Sequence, residues 1–345
     1  MSRVPGSARS RLRNVAVAVV AAVALAACGT TVASVPHVVG VPAISISVPL
    51  ETVACTAKNS CVAVGTLTGS VGPPTIGEYR TAGGRWVRIA VPPTPSAVIT
   101  TSSCWSTVCL LAGSEPRGDL LWRYDAATHS VSAATAPGPA LGVSVVNCYA
   151  ELSCAMVDTA STGTPQFLLT TDGGSTWTPP MAMGWAGGES VTGLACRAEF
   201  TCVASATSSS DRLKFAVTSD RGATWTLKPT PSAWTSLRSL SCWGRRCVAL
   251  ATTATRARLA RTSSFGRSWT SVTLDHSANA LACTTTVTCV VGGQKDALTP
   301  WVALVRRGVV IPVPLRYVPT PVIDVACGTK VCAAIGVTTL LALAP

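Results

Sequence analysis

Short apolar runs, broken every few residues by Gly, Pro, Asp or Ser, dominate this chain. Ala43-Ile-Ser-Ile-Ser-Val-Pro-Leu50 and Trp269-Thr-Ser-Val-Thr-Leu274 alternate with period two, the pattern of strands with one covered face. The stretch from Leu237 to Leu274 reads as four strands in order. Leu237 to Cys242 is the first strand, and Trp243-Gly-Arg-Arg246 is a turn. Cys247-Val-Ala-Leu-Ala251 is the second strand, residues 252–256 a loop and Ala257 to Thr262 the third. A tight turn then leads into the fourth strand at Trp269. The same grammar recurs upstream around Cys196, Cys202, Phe215 and Trp225, and around Phe167 and Trp177. It recurs downstream with Trp301-Val-Ala-Leu-Val305 and Val309-Val-Ile-Pro-Val313.

The turn before the fourth strand is nearly the same in three places. It reads Thr170-Thr-Asp-Gly-Gly-Ser-Thr-Trp177, Thr218-Ser-Asp-Arg-Gly-Ala-Thr-Trp225 and Thr262-Ser-Ser-Phe-Gly-Arg-Ser-Trp269. Asp suits such a turn because it bonds its own backbone, and Gly because it takes positive φ without a clash. This motif resembles the Asp-box, or BNR, repeat. The resemblance implies a β-propeller, as in sialidases, sorting receptors and photosystem II assembly factors. It assigns structural work to Asp172, Gly174, Trp177, Asp220, Gly222, Trp225, Gly266 and Trp269, with no substrate contact.

The cysteines reach the same architecture separately. Setting Cys28 aside, fourteen remain in seven close pairs. These are Cys55 with Cys61, Cys104 with Cys109, Cys148 with Cys154, Cys196 with Cys202, Cys242 with Cys247, Cys283 with Cys289, and Cys327 with Cys332. First members recur every 41 to 49 residues, a period that suits four-stranded blades. A zinc reading needs clustered ligands, yet His37, His129 and His276 are the only histidines and the pairs are dispersed. Disulfides, each pinning one hairpin, are therefore expected, with no metal and no cofactor.

After Cys332 the chain holds only enough residues for a three-stranded last blade. Residues 43–50 supply a spare strand. The expected fold is an all-β, seven-bladed β-propeller of four-stranded antiparallel blades, closed by this N-terminal strand completing the last blade. A rod-like stack or two smaller domains would leave the spare strand and the regular pairs unexplained.

The first residues belong to export. Arg3, Arg9, Arg11 and Arg13 precede an apolar run from Val15 to Ala27 that is short for a membrane span. Leu25-Ala-Ala-Cys28-Gly29 resembles the bacterial lipobox, which implies a diacylglyceryl group on Cys28 and stable anchoring. The expected organisation is a lipoprotein signal peptide over 1–27, a tether over 28–42 and the propeller over 43–345. The chain would sit outside the cytoplasm, on the cell membrane of a bacterium, as a monomer.

Composition adds two points. Only 12% of residues are charged and 48% are hydrophobic, so a large core is available and disorder is excluded. The formal charge of +12 falls to +8 once the leader leaves, since it carries four arginines and no acid. Cations crowd between Arg212 and Arg267, where Asp220 is the single acid. Such a face attracts envelope polyanions or anionic headgroups, or simply keeps the protein soluble. Nucleic acid is not a partner expected outside the membrane.

Hairpin turns and Asp boxes should share one face of the disc. A binding site is expected on the other face, formed by residues 66–77, 113–119, 158–165, 206–212, 252–256 and 292–300. Trp185 and Trp234 lie in connectors on that side. Either they bind a sugar or an aromatic partner, or they cap the junction between blades. A sialidase would need an arginine cluster and a Tyr beside a carboxylate. Glu78-Tyr79 and Tyr149-Ala-Glu151 offer the pair but on the wrong face, and no catalytic motif occurs. No catalytic residue is assigned. The leading expectation is a lipid-anchored binding or scaffold module for an envelope protein or glycan. A sialidase-like glycosidase and a purely structural lipoprotein are the alternatives.

Overall fold

The computed structural model describes residues 37–40, 49–65, 75–80, 85–92, 97–116, 118–137, 142–185, 188–197, 201–208, 212–285, 288–297, 299–315, 320–337 and 340–344. The leader, Cys28 and residues 43–48 lie outside them. Every described element is a strand, and all pairing is antiparallel.

Six blades are each built from four consecutive strands. Their inner strands are Leu50–Cys55, Val98–Trp105, Val143–Ala150, Ser190–Cys196, Trp234–Trp243 and Ser277–Thr285. The remaining four-stranded sheet is composite. It takes Val322–Cys327, Cys332–Gly336 and Leu340–Ala344 from the C-terminal end, and His37–Gly40 from ahead of blade one.

Two expectations are corrected here. The seven equivalent blades become six contiguous ones plus a composite sheet. The strand on its outer edge is His37–Gly40, with His37 opposite Ala344 and Val38 opposite Leu343, and not residues 43–50. Leu50 instead opens the inner strand of blade one, opposite Gly65. The geometry explains why. Outer and inner strands of a four-stranded sheet stand three spacings apart, roughly 14 Å. Leu50, placed in the inner strand of blade one, cannot also occupy the rim. The His37–Gly40 strand lies inside the segment read as a tether.

The second strand of each blade is covered on both faces, which is why its sequence is apolar throughout rather than alternating. Cys202–Thr207 and Arg246–Thr253 show this, with Val203, Ala204, Val248, Ala249 and Leu250 all buried. Each junction holds its own core. Ala195, Val203 and Phe215 of blade four meet Trp234, Leu237 and Ala249 of blade five. Leu50, Val53 and Trp86 of blade one meet Ile335, Leu340 and Ala342 of the composite sheet, so the ring closes by packing as well as by the added strand.

Candidate functional site

All seven cysteine pairs are bonded, each between adjacent strands of one sheet, with Cα atoms 3.9–4.1 Å apart. In every case the first cysteine lies at or within two residues of the end of the inner strand and its partner at or next to the start of the following strand, so the bridges ring the channel at one end.

The turns before the fourth strands of blades three, four and five are closed by side-chain hydrogen bonds. Thr218 donates its hydroxyl to Asp220 Oδ1 at 2.7 Å and accepts the Gly222 N–H at 3.0 Å. The other side of the turn closes on the same carboxylate: Thr224 donates its N–H to Oδ1 at 2.9 Å and its hydroxyl to Oδ2 at 2.5 Å. Thr170, Asp172, Gly174 and Thr176 repeat the arrangement. The Thr176 and Thr224 hydrogen bonds hold Asp172 and Asp220 down to about 2. The third box has Ser264 in the acid's place, donating and accepting with Ser268 but carrying no charge.

Box tryptophans and glycines pack on the preceding blade. Trp225 meets Phe167 edge-on at 5.3 Å, and Trp269 meets Phe215 at 5.2 Å. Trp177 donates its ring N–H to the Thr135 carbonyl of blade two at 3.1 Å. Trp185 and Trp234 complete these clusters, 6.3 Å from Trp225 and 5.5 Å from Trp269. Both are buried at 7% exposure, so they cap junctions between blades and present no ring to a ligand.

The central channel forms a cavity of about 680 Å³ walled by the seven described inner strands. Its described mouth is bounded by the hairpins that carry the disulfides, including Ala57, Ser106 and Thr329. Of the residues expected to form a site on the opposite face, 66–74, 117, 209–211 and 298 lie outside the described residues. Trp105 stands at this mouth and is 46% exposed, with Trp243 on another hairpin of the rim.

Inner strands diverge around a channel, and their edge N–H and C=O groups have no strand partner there. Hydroxyl, amide and carboxyl side chains meet that need from blade to blade. Cys148 N–H donates to Ser103 Oγ at 2.8 Å, Cys196 N–H to Asn147 Oδ1 at 2.8 Å, and Thr192 to the Leu237 carbonyl at 2.7 Å. At the closing junction Asp324 Oδ2 accepts the Val53 N–H at 2.9 Å and the Thr52 hydroxyl at 3.0 Å. With the Thr52 proton committed, Ser102 donates to Thr52 Oγ1 at 2.8 Å, which extends the network into blade two.

Glu51 and Asp324 are the charged side chains among the described lining residues. Burial raises both, Asp324 to about 6 despite three stabilising hydrogen bonds. No arginine accompanies them among the described lining residues. Tyr149 is buried against blade four, and burial pushes its phenol up, away from a nucleophile's range. Glu78 and Tyr79 lie in the third strand of blade one. No cluster of three or more His, Cys, Asp or Glu forms among the described residues.

Sequence reading missed a second acidic feature. Asp119 in Gly118–Asp125 and Asp158 in Ser153–Thr159 are 6% and 3% exposed at the junction of blades two and three. Both Asp119 oxygens lack a hydrogen-bond partner among the described residues. Burial, reinforced by the charge of Asp158, raises Asp119 to about 7, and burial raises Asp158 to about 6. The folded state therefore holds these protons more tightly than the unfolded chain does. Their contribution to stability is full below the usual carboxylate range and is lost as pH rises through 6 to 7. Asp119→Asn should raise the melting temperature at pH 8 and change it little at pH 4. A lower melting temperature at pH 8 would refute the burial assignment.

No protein-family model and no curated protein matches this sequence. Its fold does match solved structures. A structure of YCF48 bound to D1 peptide aligns with a TM-score of 0.60 at 16% identity, covering 87% of this chain and 95% of that one. Hydrazine synthase from Kuenenia stuttgartiensis aligns at 0.65 and 9% identity, covering 88% and 97%. YCF48 from Cyanidioschyzon merolae aligns at 0.61 and 13%, covering 90% and 99%. At these identities the likeness establishes the propeller fold alone.

Proposed function

We propose that this chain is a non-catalytic binding propeller, held outside the cytoplasm by a lipid on Cys28, that seats an extended segment of an envelope protein at the disulfide-rimmed mouth of its channel. The observation that carries this reading is the mouth itself. Trp105 is an exposed ring beside a cavity of about 680 Å³, the combination that marks an anchoring contact. The channel wall supports binding rather than chemistry, because Asp324, Thr52, Ser103 and Asn147 are engaged in joining blades. Seven disulfides fit folding in an oxidising compartment. YCF48, one of the folds most like this one, has been captured with a peptide, which favours a protein partner over a glycan.

Photo-cross-linking in the native cell tests the reading. A photoreactive residue at position 105 should yield adducts with one or a few envelope proteins. The same residue at Leu227, which is 58% exposed on the outer strand of blade four, should yield none. Equal adducts at both positions, or none at 105, would refute the mouth as a binding surface. Fractionation of the same cells covers the anchor, since Cys28→Ser should move the protein out of the membrane pellet and retention there would refute lipidation.

A further inference from the structure

The chain enters the ring on the disulfide face. His37 lies opposite Ala344 and Val38 opposite Leu343. Leu343 in turn stands beside Cys332, the second cysteine of the composite sheet. The His37–Gly40 strand therefore starts level with the bridges and runs away from them. Cys28 precedes His37 by nine residues, which reach at most roughly 30 Å when fully extended.

Cations collect on the same face. In blades five and six the third strand ends level with the second cysteine, Thr262 opposite Cys247 and Val305 opposite Cys289. The turns that follow, and the hairpins that carry the bridges, belong to this face. From blade five to the composite sheet they present Arg245, Arg246, Arg267, Arg307 and Lys330, all exposed. None of the five has a carboxylate partner among the described residues, and the sequence places no acid in these turns. Among the described residues, the acids at the turns of this face are Asp125, Glu151, Asp172 and Asp220, all in blades two to four.

The segregation carries the argument. Cations that serve only solubility are interleaved with acids. An acid-free arc on the face where the chain enters complements an extended surface of the opposite sign. Exposed apolar side chains share the face. Val309, at 63% exposure, follows the blade-six turn, and Trp105 and Leu152 are exposed at the hairpins of blades two and three. Basic side chains beside an indole and aliphatic tips are the composition of a surface that lies on a charged interface.

We propose that this arc rests on anionic phospholipid headgroups, so that the lipid on Cys28 and the five cations together hold the disulfide face against the bilayer. The inference rests on the lipid anchor proposed above. It turns the channel mouth toward the membrane, and makes the segment seated there a membrane-proximal one.

The mature, lipidated chain reconstituted on vesicles tests the orientation. Flotation with the vesicles reads the anchor, and a photoreactive residue reads the face. On phosphatidylcholine vesicles containing phosphatidylglycerol, that residue at position 309 should form lipid adducts. At Ala254, exposed in a loop of blade five on the opposite face, it should form few. Arg245→Glu combined with Arg307→Glu should cut the adducts at 309 at least about fivefold while flotation persists, because each cation near an anionic surface is worth about that factor. Vesicles of phosphatidylcholine alone should give the same loss with no change to the chain. Equal adducts at 254 and 309 would overturn the docking face. A floating chain with adducts at neither position would also overturn it, in favour of a polyanion elsewhere in the envelope. Adducts at 309 that ignore both the charge reversals and the headgroup would leave the tether alone to set the approach, and would overturn the electrostatic seat. A chain that floats with neither vesicle refutes the anchor itself, and this inference with it.

Discussion

Reduced and kept reduced, the full-length chain is expected to lose its cooperative thermal transition. Each bridge closes a loop of five or six residue steps, for which chain entropy gives about 2 kcal/mol. Seven such bridges together amount to roughly 15 kcal/mol, at or above the net stability of an ordinary domain. Position amplifies the effect. Every bridge joins an inner strand to its neighbour at the channel mouth, where inner strands have no partner across the channel. Cys61, Cys109 and Cys332 are wholly buried, so reduction should be carried out in denaturant, which is then diluted in the presence of reductant. Circular dichroism should then show no sharp melt, while the oxidised chain taken through the same dilution regains one. If the reduced chain melts within about 5 °C of the oxidised one, a shift worth about 3 kcal/mol, packing alone holds the ring.

Strands, their period and their pairing within each blade were legible because each signal is local. Six blades repeat one grammar, and a cysteine marks the same step of every hairpin. Ring closure was not legible in the same way. An outer edge strand is selected by backbone pairing, so His37-Val-Val-Gly40 carries less pattern than the alternation in Ala43-Ile-Ser-Ile-Ser-Val48, yet it is the former that pairs with Leu343 and Ala344. Trp185 and Trp234 looked free because they lie in connectors, but burial of an indole is a tertiary outcome that sequence neighbours do not set. Basic residues were legible as a cluster. That two nitrogens of one guanidinium, Nε and Nη2 of Arg261, are buried with no hydrogen-bond partner among the described residues is a tertiary outcome. Asp324 did leave a trace, an acid inside the apolar run Val322-Ile-Asp-Val-Ala-Cys327, and that is the mark of a buried clamp.

The glycines of the turns before the fourth strands give the most discriminating test of the clamp between blades. Gly222 has φ +89°, and a Cβ there would stand 2.2 Å from Cδ1 of Phe167 on blade three. Gly266 has φ +76° and would meet Cε1 of Phe215 on blade four at the same 2.2 Å. Both phenyl rings are fully buried and held edge-on by Trp225 and Trp269, so neither can withdraw without moving a blade. Alanine at either site combines left-handed strain of about 1–2 kcal/mol with overpacking of about 1–3 kcal/mol. Gly174 shares the φ of +89°, but a Cβ there would first meet the Leu110 Cδ2 methyl at 3.2 Å, which can give by a few tenths of an ångström. Gly184, at φ +70°, has nothing within 4 Å, so only strain applies. Melting temperatures should therefore fall most for Gly222→Ala and Gly266→Ala, by roughly 3–8 °C. Gly174→Ala should lose less, and Gly184→Ala least. Phe167→Leu should recover part of the loss in Gly222→Ala, because the clash and the deleted ring are one interaction and the two changes cannot add. Equal losses at all four glycines, or strict additivity with Phe167→Leu, would mean that backbone strain alone sets the effect and that the box does not clamp one blade to the next.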